Sequence, residues 1–306
     1  AYIRDRAIEF LKGRDAEADQ PFFLFVSFPD PHHPFNPPGK YWDMYSPDDF
    51  DVTLPYEACQ QPTPPMRYLH DQWKDPDAKD GVATSAVMTG TQELRQAMAL
   101  TAGMITMVDD AIGDVMAALN ASGQADDTVV CFTSDHGDYL GDYNMLLKGA
   151  MPFRSVTRVP FIWSDPQSPS PRVSTALTSS IDISASILAR SDLKPYLGIQ
   201  GQSFLECLEG SEAVRSELMI EYNDGFPRLG FSKAARVRTL LTDKYRLSLY
   251  KGEDWGELYD LQTDPCESVN LWDAPHMSVV KADLMERLAH QLVSQMDESP
   301  AARRLA

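Results

Sequence analysis

The chain has 306 residues, of which 43% are hydrophobic and 24% are charged, and this size allows one large domain or a large and a small one. Its 27 basic and 45 acidic residues give a formal charge of −18, which argues against nucleic acid as a partner because that binding needs a basic surface. No apolar stretch is long enough to cross a bilayer, so we predict no membrane span.

Helical patterns and short apolar runs alternate through the first 225 residues. Three runs have the composition of strands that are buried on both faces of a parallel sheet. They are residues 22–28, 128–134 and 159–163. Apolar side chains at helical spacing predict helices at 1–13, 91–120 and 181–190. The order of these elements predicts an α/β domain with a mostly parallel mixed sheet flanked by helices.

A polar, proline-rich region separates the first apolar run from the longest predicted helix. It covers residues 29–88, which is too long for an idle connection in a compact domain. We therefore expect it to form a loop that covers a site or shapes its entrance. Its aromatic side chains, such as Tyr41 and Trp42, could bind a sugar or aryl group, or could pack the loop itself.

The sequence changes character after residue 225. Residues 236–242 and 244–250 predict two adjacent antiparallel strands, and residues 256–260 could add a third. An amphipathic pattern predicts a final helix at 275–297. We therefore predict two domains, an α/β domain at 1–225 and a small α+β domain at 226–306 with an antiparallel sheet and a C-terminal helix.

A first candidate site follows the apolar run at 22–28. His32 and His33 stand between prolines, and each proline fixes its own φ and restricts the residue before it. Ligands bind beyond the carboxyl ends of strands in open α/β sheets, where a fixed imidazole suits general acid catalysis or oxyanion stabilisation. The alternative is a turn whose histidines are only solvated.

A second candidate site follows the run at 128–134. Asp135 offers an anionic oxygen and His136 an imidazole nitrogen, and both are common metal ligands. Lys148 follows apolar residues and could reach into a pocket as a point charge for an oxyanion. The alternatives are a polar turn with an Asx cap and a solvated surface lysine.

Several motifs, in order along the chain, are similar to those of the sulfatases of the alkaline phosphatase superfamily. The similarity runs from residue 22 to about residue 271. The motifs are Phe22 to Phe28 with Pro31-His32-His33-Pro34-Phe35, Thr133 to Asp138, Leu147-Lys148-Gly149, Arg158-Val159-Pro160, and Glu257 to Leu261 with Asp264-Pro265 and Asn270-Leu271. The resemblance implies an alkaline phosphatase-like fold.

The resemblance also implies a function and a role for each site residue. The complete protein would hydrolyse a sulfate ester of a small molecule or glycan. Asp135 and His136 would bind a divalent cation, usually Ca²⁺ in this family, with Mg²⁺, Mn²⁺ or Zn²⁺ as alternatives. His32 and Lys148 would bind the sulfate and stabilise or protonate the leaving oxygen. His136 stands where many sulfatases have Asn, which keeps open a phosphonate or phosphate monoester hydrolase.

The chain departs from the family pattern in two places. No segment matches C/S-x-P-x-R, the motif whose Cys or Ser becomes the formylglycine nucleophile and which the family places upstream of P-H-x-P. We therefore expect a C-terminal portion of a sulfatase that is inactive alone, with a non-catalytic sulfatase-like binding protein as the alternative. Phe153-Arg154 stands where the family often has an aromatic residue and Glu. Oligomeric state and compartment, cytoplasmic or periplasmic, are not predicted.

Overall fold

The computed structural model describes residues 2–14, 20–75, 77, 85–168, 170–211 and 213–296. The chain divides into two compact units, and each is assembled from separate stretches of sequence. Unit 1 comprises Ala1–Tyr56, Ala86–Leu147 and Val159–Gln167, and unit 2 comprises Glu57–Ser85, Lys148–Arg158 and Ser168–Ala306. The predicted domain boundary after residue 225 stays a prediction.

The described residues contain helices and strands in both units. The α-helices are α1 (Tyr2–Lys12), α2 (Pro64–Lys74), α3 (Thr91–Ala121), α4 (Arg154–Thr157), α5 (Asp182–Arg190), α6 (Leu205–Glu209) and α7 (Ser278–Ser294). The strands are β1 (Val87–Met88), β2 (Val130–Thr133), β3 (Met145–Leu146), β4 (Phe161–Ser164), β5 (Glu217–Asn223), β6 (Arg236–Thr242), β7 (Tyr245–Tyr250) and β8 (Gly256–Asp260). Among the described helices, none combines the length and hydropathy of a bilayer crossing.

Helix α3 contacts several elements of unit 1; it begins at the predicted residue 91 and ends at Ala121, one residue later than predicted. Helix α1, also confirmed, packs against α3, and Leu11, Ala118 and Leu119 form a buried cluster between them. Gly103 on α3 lets the carbonyl of Tyr41 approach the helix closely, because a Cβ at that position would lie 2.3 Å from the Tyr41 oxygen. The helix therefore fixes both the N-terminal segment and the start of the long loop.

The prediction that residues 22–28 form a strand buried on both faces is wrong. The segment is not part of a strand, and Phe23 and Phe25 are 74% and 79% exposed. Phe22 and Leu24, which point the other way, pack against the cluster between α1 and α3. Within the described part of the chain a helix layer covers one face only, which explains the alternating exposure.

The other two apolar runs form strands, but these are short and mostly exposed. Strands β2 and β4 pair antiparallel, with Cys131 opposite Trp163. Val130 and Trp163 are half-buried, and the other residues of both strands are exposed. The predicted burial of these runs is therefore wrong, and every ladder between the described strands is antiparallel.

Unit 2 contains a four-stranded antiparallel sheet in the order β5-β6-β7-β8. The three predicted strands are confirmed, and β5 is an additional strand that the sequence reading missed. Helix α7 packs on the sheet, where Leu240, Leu247, Leu258, Leu284 and Leu288 are almost completely buried. The other face of β7 and β8 is buried as well, since Arg246, Ser248, Glu257 and Tyr259 are almost completely inaccessible.

Helix α7 is also held to strand β5 by polar contacts. Glu217 accepts hydrogen bonds from Arg287 Nε at 2.7 Å and from Gln291 Nε2 at 2.8 Å. Burial raises the pKa of the Glu217 carboxyl, but the hydrogen bonds from Gln291 and Arg287 outweigh it and lower the pKa below its ordinary value of 4.5.

The long loop predicted at 29–88 contains helix α2. The helix begins with Pro64 and Pro65, and proline is well tolerated in a first helical turn because its missing N–H has no partner there. Met66 and Leu69 are buried. The prediction of a loop is therefore wrong for Pro64–Lys74, because prolines mark the beginning of a helix as well as a loop.

Candidate functional site

His32 lies in a turn directly after the extended segment 22–28. Its backbone amide donates a hydrogen bond to the carbonyl of Pro29 at 3.1 Å. Its ring stacks on that of His33, with the centroids 4.0 Å apart, and its Nδ1 lies 2.8 Å from the His33 carbonyl oxygen. A carbonyl oxygen only accepts, so this contact requires a proton on Nδ1. The exposed ring of His32 therefore presents Nε2 for proton transfer or anion binding.

Asp135 and His136 lie in a loop directly after strand β2. Asp135 Oδ1 accepts the His136 amide at 2.9 Å, and the Ser134 hydroxyl lies 3.0 Å from the His136 carbonyl. Partial burial raises the pKa of Asp135, but hydrogen bonds such as those from the His136 amide and the Ser134 hydroxyl lower it, so that the pKa lies below its ordinary value of 3.8 and the carboxylate is ionised near neutral pH. The Asp135 side chain is 83% exposed and that of His136 is 40% exposed.

The two side chains fit a shared divalent cation. His136 Nδ1 lies 2.8 Å from the Gly137 carbonyl, which requires the proton on Nδ1 and leaves the lone pair on Nε2. Metal-binding histidines use this arrangement, in which a backbone carbonyl holds the other ring N–H. His136 Nε2 is 3.5 Å from Asp135 Oδ2, a separation that two ligands of one cation span at bond lengths of about 2.0–2.6 Å.

The described residues contain no group of three or more His, Cys, Asp or Glu side chains that could hold a metal. Asp135 and His136 alone would supply two donors, whereas a Ca²⁺ ion takes about six to eight oxygen ligands and a Zn²⁺ ion about four ligands. The sequence reading also assigned two ligands to this chain, and their metal-binding role stays a prediction.

Asp138 fixes the loop that leads from this pair toward Lys148, a role that the sequence reading missed. Its Oδ1 accepts the amides of both Leu140 and Leu147 at 2.9 Å. The Tyr139 amide donates to the Leu147 carbonyl at 2.8 Å. Leu147 adopts φ 68°, a left-handed conformation that is rare for residues other than glycine. The only available signal was an Asp after Gly137, which suits a side-chain-capped turn.

Lys148 begins a separate stretch that belongs to unit 2. Its side chain is half-buried, and its carbonyl accepts the Ser85 hydroxyl at 3.3 Å. Residues 149–153 after it are buried. Of the predicted site residues, Asp135 and His136 contact each other directly. Within the described part of the chain, neither of them forms a hydrogen bond or ion pair with His32.

Comparison with known proteins identifies the family. The profile of the sulfatase family matches residues 2–193, which is more than half of the chain. The profile of the C-terminal region of N-sulphoglucosamine sulphohydrolase matches residues 141–294. Together these two matches cover the chain from α1 to the end of α7.

Individual relatives give the same result. The chain is 29% identical to a multifunctional alkaline phosphatase superfamily protein of Trinickia caryophylli, over 97% of the chain and 60% of that protein. It is 29% identical to an arylsulfatase of Clostridium perfringens, over 88% of the chain and 53% of that protein. The chain thus spans a little over half the length of these relatives.

Solved structures confirm the alkaline phosphatase-like fold class. The phosphonate monoester hydrolase of Agrobacterium radiobacter has a TM-score of 0.81 and 26% identity, covering 100% of this chain and 62% of that one. The putative sulfatase yidJ of Bacteroides fragilis has a TM-score of 0.71 and 25% identity, covering 97% and 59%. The chain therefore belongs to the sulfatase family of the alkaline phosphatase superfamily.

Proposed function

We propose that the intact protein hydrolyses a sulfate ester with the help of a divalent cation. The observation that carries the proposal is the pair formed by Asp135 and His136. In a chain of the sulfatase family, an ionised carboxylate lies 3.5 Å from an imidazole nitrogen whose lone pair is kept available. This donor pair is a sound basis for a metal site at the end of strand β2.

The proposed cation is held in part by Asp135 Oδ2 and His136 Nε2. When bound, it supplies Lewis acidity toward the oxygens of the group that is transferred. Ca²⁺ is the expected ion from the family, although Ca²⁺ prefers oxygen ligands. The imidazole of His136 is a ligand that suits Zn²⁺ better than Ca²⁺, and metal analysis of the intact protein decides between these ions and the alternatives Mg²⁺ and Mn²⁺.

His32 and Lys148 are the proposed sulfate-binding residues of this chain. Lys148 offers a compact positive charge that offsets the charge on the sulfuryl oxygens. His32 presents Nε2, which in the protonated ring would donate a proton to the leaving alcohol oxygen.

The 306 residues contain no C/S-x-P-x-R motif, so no nucleophile is assigned within them, and we expect no turnover from this chain alone. The proposed substrate is a sulfated small molecule or glycan.

A phosphonate or phosphate monoester hydrolase is the second candidate function. Two observations favour it, namely the imidazole ligand at His136 and the TM-scores of 0.81 and 0.80 with two phosphonate monoester hydrolases. The same residues would serve this reaction, since both transferred groups carry negative oxygens. The two functions differ in the charge and shape of the substrate group and not in the residues assigned here.

The test uses the intact protein with three aryl monoesters, namely a sulfate, a phosphate and a phosphonate. We expect kcat/KM to be highest for the sulfate, and Lys148→Ala to lower it by at least about 100-fold, the usual loss when an oxyanion contact is removed. Lys251→Ala, at an exposed lysine in the turn after β7, is the control and should have wild-type kinetics. A higher kcat/KM for the phosphonate would replace the first function by the second. No hydrolysis of any ester would leave a non-catalytic binding protein.

A further inference from the structure

Unit 2 contains a buried charge network. It consists of Arg246, of Glu257 at the start of the Glu257 to Leu261 motif, and of Glu267. Arg246 is 1% exposed and donates to Glu257 Oε2 at 2.8 Å through Nη1, and to Glu267 Oε1 through Nε. The Tyr250 hydroxyl donates to the same Glu257 oxygen at 2.9 Å. Two carboxylates and one guanidinium, all almost completely inaccessible, thus share one small volume.

Stability alone is a poor explanation for such a network. Removing two carboxylates and a guanidinium from water is unfavourable, and well-packed apolar residues are often as stable in the same place. Glu267 also adopts φ 61°, a left-handed conformation that is unfavourable for a residue other than glycine. Costs of this kind persist where a particular geometry is needed.

The network is connected to the segment that begins with Lys148. Glu267 Oε2, the oxygen not used by Arg246, accepts the backbone amide of Arg154 at 2.6 Å. The Arg154 side chain donates to the Pro265 carbonyl at 2.8 Å. Both contacts hold the start of helix α4, six residues after Lys148, against the turn that carries Glu267.

An aromatic contact strengthens the same connection. Phe153 is 1% exposed, and the Arg246 guanidinium lies 5.3 Å from its ring centroid and 4.6 Å from that of Tyr259. The two rings are 6.2 Å apart. The guanidinium therefore packs near both rings, in the range of a cation–π contact. The network thus contacts two consecutive residues, Phe153 through Arg246 and Arg154 through Glu267.

We propose that the Arg246–Glu257–Glu267 network is a positioning device for residues 148–158, and so for Lys148 in the proposed sulfate-binding role. This inference rests on the proposed function. Glu267 is the positioning residue, because its two carboxylate oxygens link Arg246 to the Arg154 amide. A lysine misplaced by about 1 Å is expected to lose about 100-fold in rate, although Arg246, Glu257 and Glu267 are themselves buried and inaccessible to a substrate.

The test removes a single N–H. Arg154 is the first residue of helix α4, and Phe153 before it has ψ 154°, which is compatible with a following proline. Arg154→Pro deletes the amide that Glu267 accepts, and it also deletes the side-chain contact with Pro265. Arg154→Ala deletes only the side-chain contact and is the matched control. Both variants leave Arg246, Glu257 and Glu267 unchanged.

Two readouts are measured on the intact protein, namely amide hydrogen exchange of peptides within 148–158 and kcat and KM for the aryl sulfate. Relative to Arg154→Ala, we expect Arg154→Pro to exchange at least about tenfold faster in this segment, and kcat to fall at least about tenfold with KM within about threefold. If either exchange or kcat equals that of Arg154→Ala, the inference is overturned.

A second pair of variants covers the case in which Arg154→Pro does not fold. Glu267→Gln leaves one acceptor oxygen for two donors, so one contact breaks and the same two changes are expected. Asp182→Asn is its control, because Asp182 is as buried as Glu267 and pairs with Arg215 in the same unit, and this variant should leave kcat and exchange at 148–158 unchanged. Lys148→Ala separates the two hypotheses. If it retains full activity, the proposed function of Lys148 fails. If it is inactive while Glu267→Gln behaves like Asp182→Asn, only the positioning inference fails.

Discussion

The Asp138 side chain allows a sharp test of how the loop before Lys148 is built. A single oxygen, Oδ1, accepts both the Leu140 and the Leu147 amides at 2.9 Å. Hydrogen bonds to a charged group each contribute about 1.5–3 kcal/mol. Asp138→Ala removes both and leaves two amides to find other partners, so we expect a loss of about 3 kcal/mol in the free energy of unfolding.

Asp138→Asn is the matched variant, because the amide oxygen can still accept both bonds. The two hydrogen bonds are then made to a neutral acceptor instead of a charged one, and we expect the free energy of unfolding to fall by about 1 kcal/mol. Urea unfolding of the intact protein, followed by tryptophan fluorescence, measures both. With a denaturant dependence of about 2 kcal/mol per M, the midpoints should fall by about 1.5 M and about 0.5 M.

Two outcomes would refute this reasoning. If Asp138→Ala lies within about 0.5 kcal/mol of wild type, the range of an ordinary surface substitution, the two hydrogen bonds do not hold the loop. If Asp138→Asn is as unstable as Asp138→Ala, the charge matters and the acceptor geometry does not. Asp109→Ala, at an exposed position on helix α3, is the surface control.

Three further predictions follow from the described contacts. The pKa of Glu217 is lowered in the folded state. Its contribution to the stability of the folded protein is therefore complete above the ordinary pKa of 4.5, and it is lost as the pH falls through the lower folded value. In urea unfolding, Glu217→Gln should lose less stability than wild type on acidification. Burial raises the pKa of the Cys59 thiol to about 12, so iodoacetamide at pH 8 should modify exposed Cys266 and spare Cys59 until the protein unfolds, as peptide mass spectrometry would show. His32→Ala should lower kcat by at least about 100-fold, and His33→Ala by much less, with the aryl sulfate as substrate.

The sheet of unit 2 was predictable because its pattern is local. Strands β6 and β8 have the predicted bounds, and β7 begins one residue later than predicted. Their side chains alternate between a face against α7 and the other face, and this period of two is visible in the sequence. Helix α3 was equally clear, since its apolar residues repeat at helical spacing over 31 residues.

The wrong prediction of burial for residues 22–28 also has a physical cause. Residues 22–28 are continuously apolar, and composition alone predicts burial on both faces, yet exposure depends on which elements cover each face. Phe23 and Phe25 are exposed because the helices of the described unit lie on the side of Phe22 and Leu24. Such coverage is a property of the assembled fold and has no local sequence signal.

Some residues of the candidate site could be predicted from the sequence and others could not. Asp135 and His136 were found from an adjacent pair after an apolar run, and the structure brings their donor atoms to 3.5 Å. The role of Asp138 depends on Leu147, nine residues later, and the role of Glu267 depends on Arg246 and Arg154, which are 21 and 113 residues away. Residue types identify such groups as candidates, but only the fold identifies their partners.

The central claim is that Asp135 and His136 hold part of the metal site of a sulfate ester hydrolase. The most direct measurement determines bound divalent metal and released inorganic sulfate in the same samples of intact wild type, His136→Ala and the control His276→Ala, which changes an exposed histidine. We predict bound metal and sulfate release in wild type and in His276→Ala, and a large loss of both in His136→Ala. Unchanged metal content and unchanged sulfate release in His136→Ala would contradict the claim.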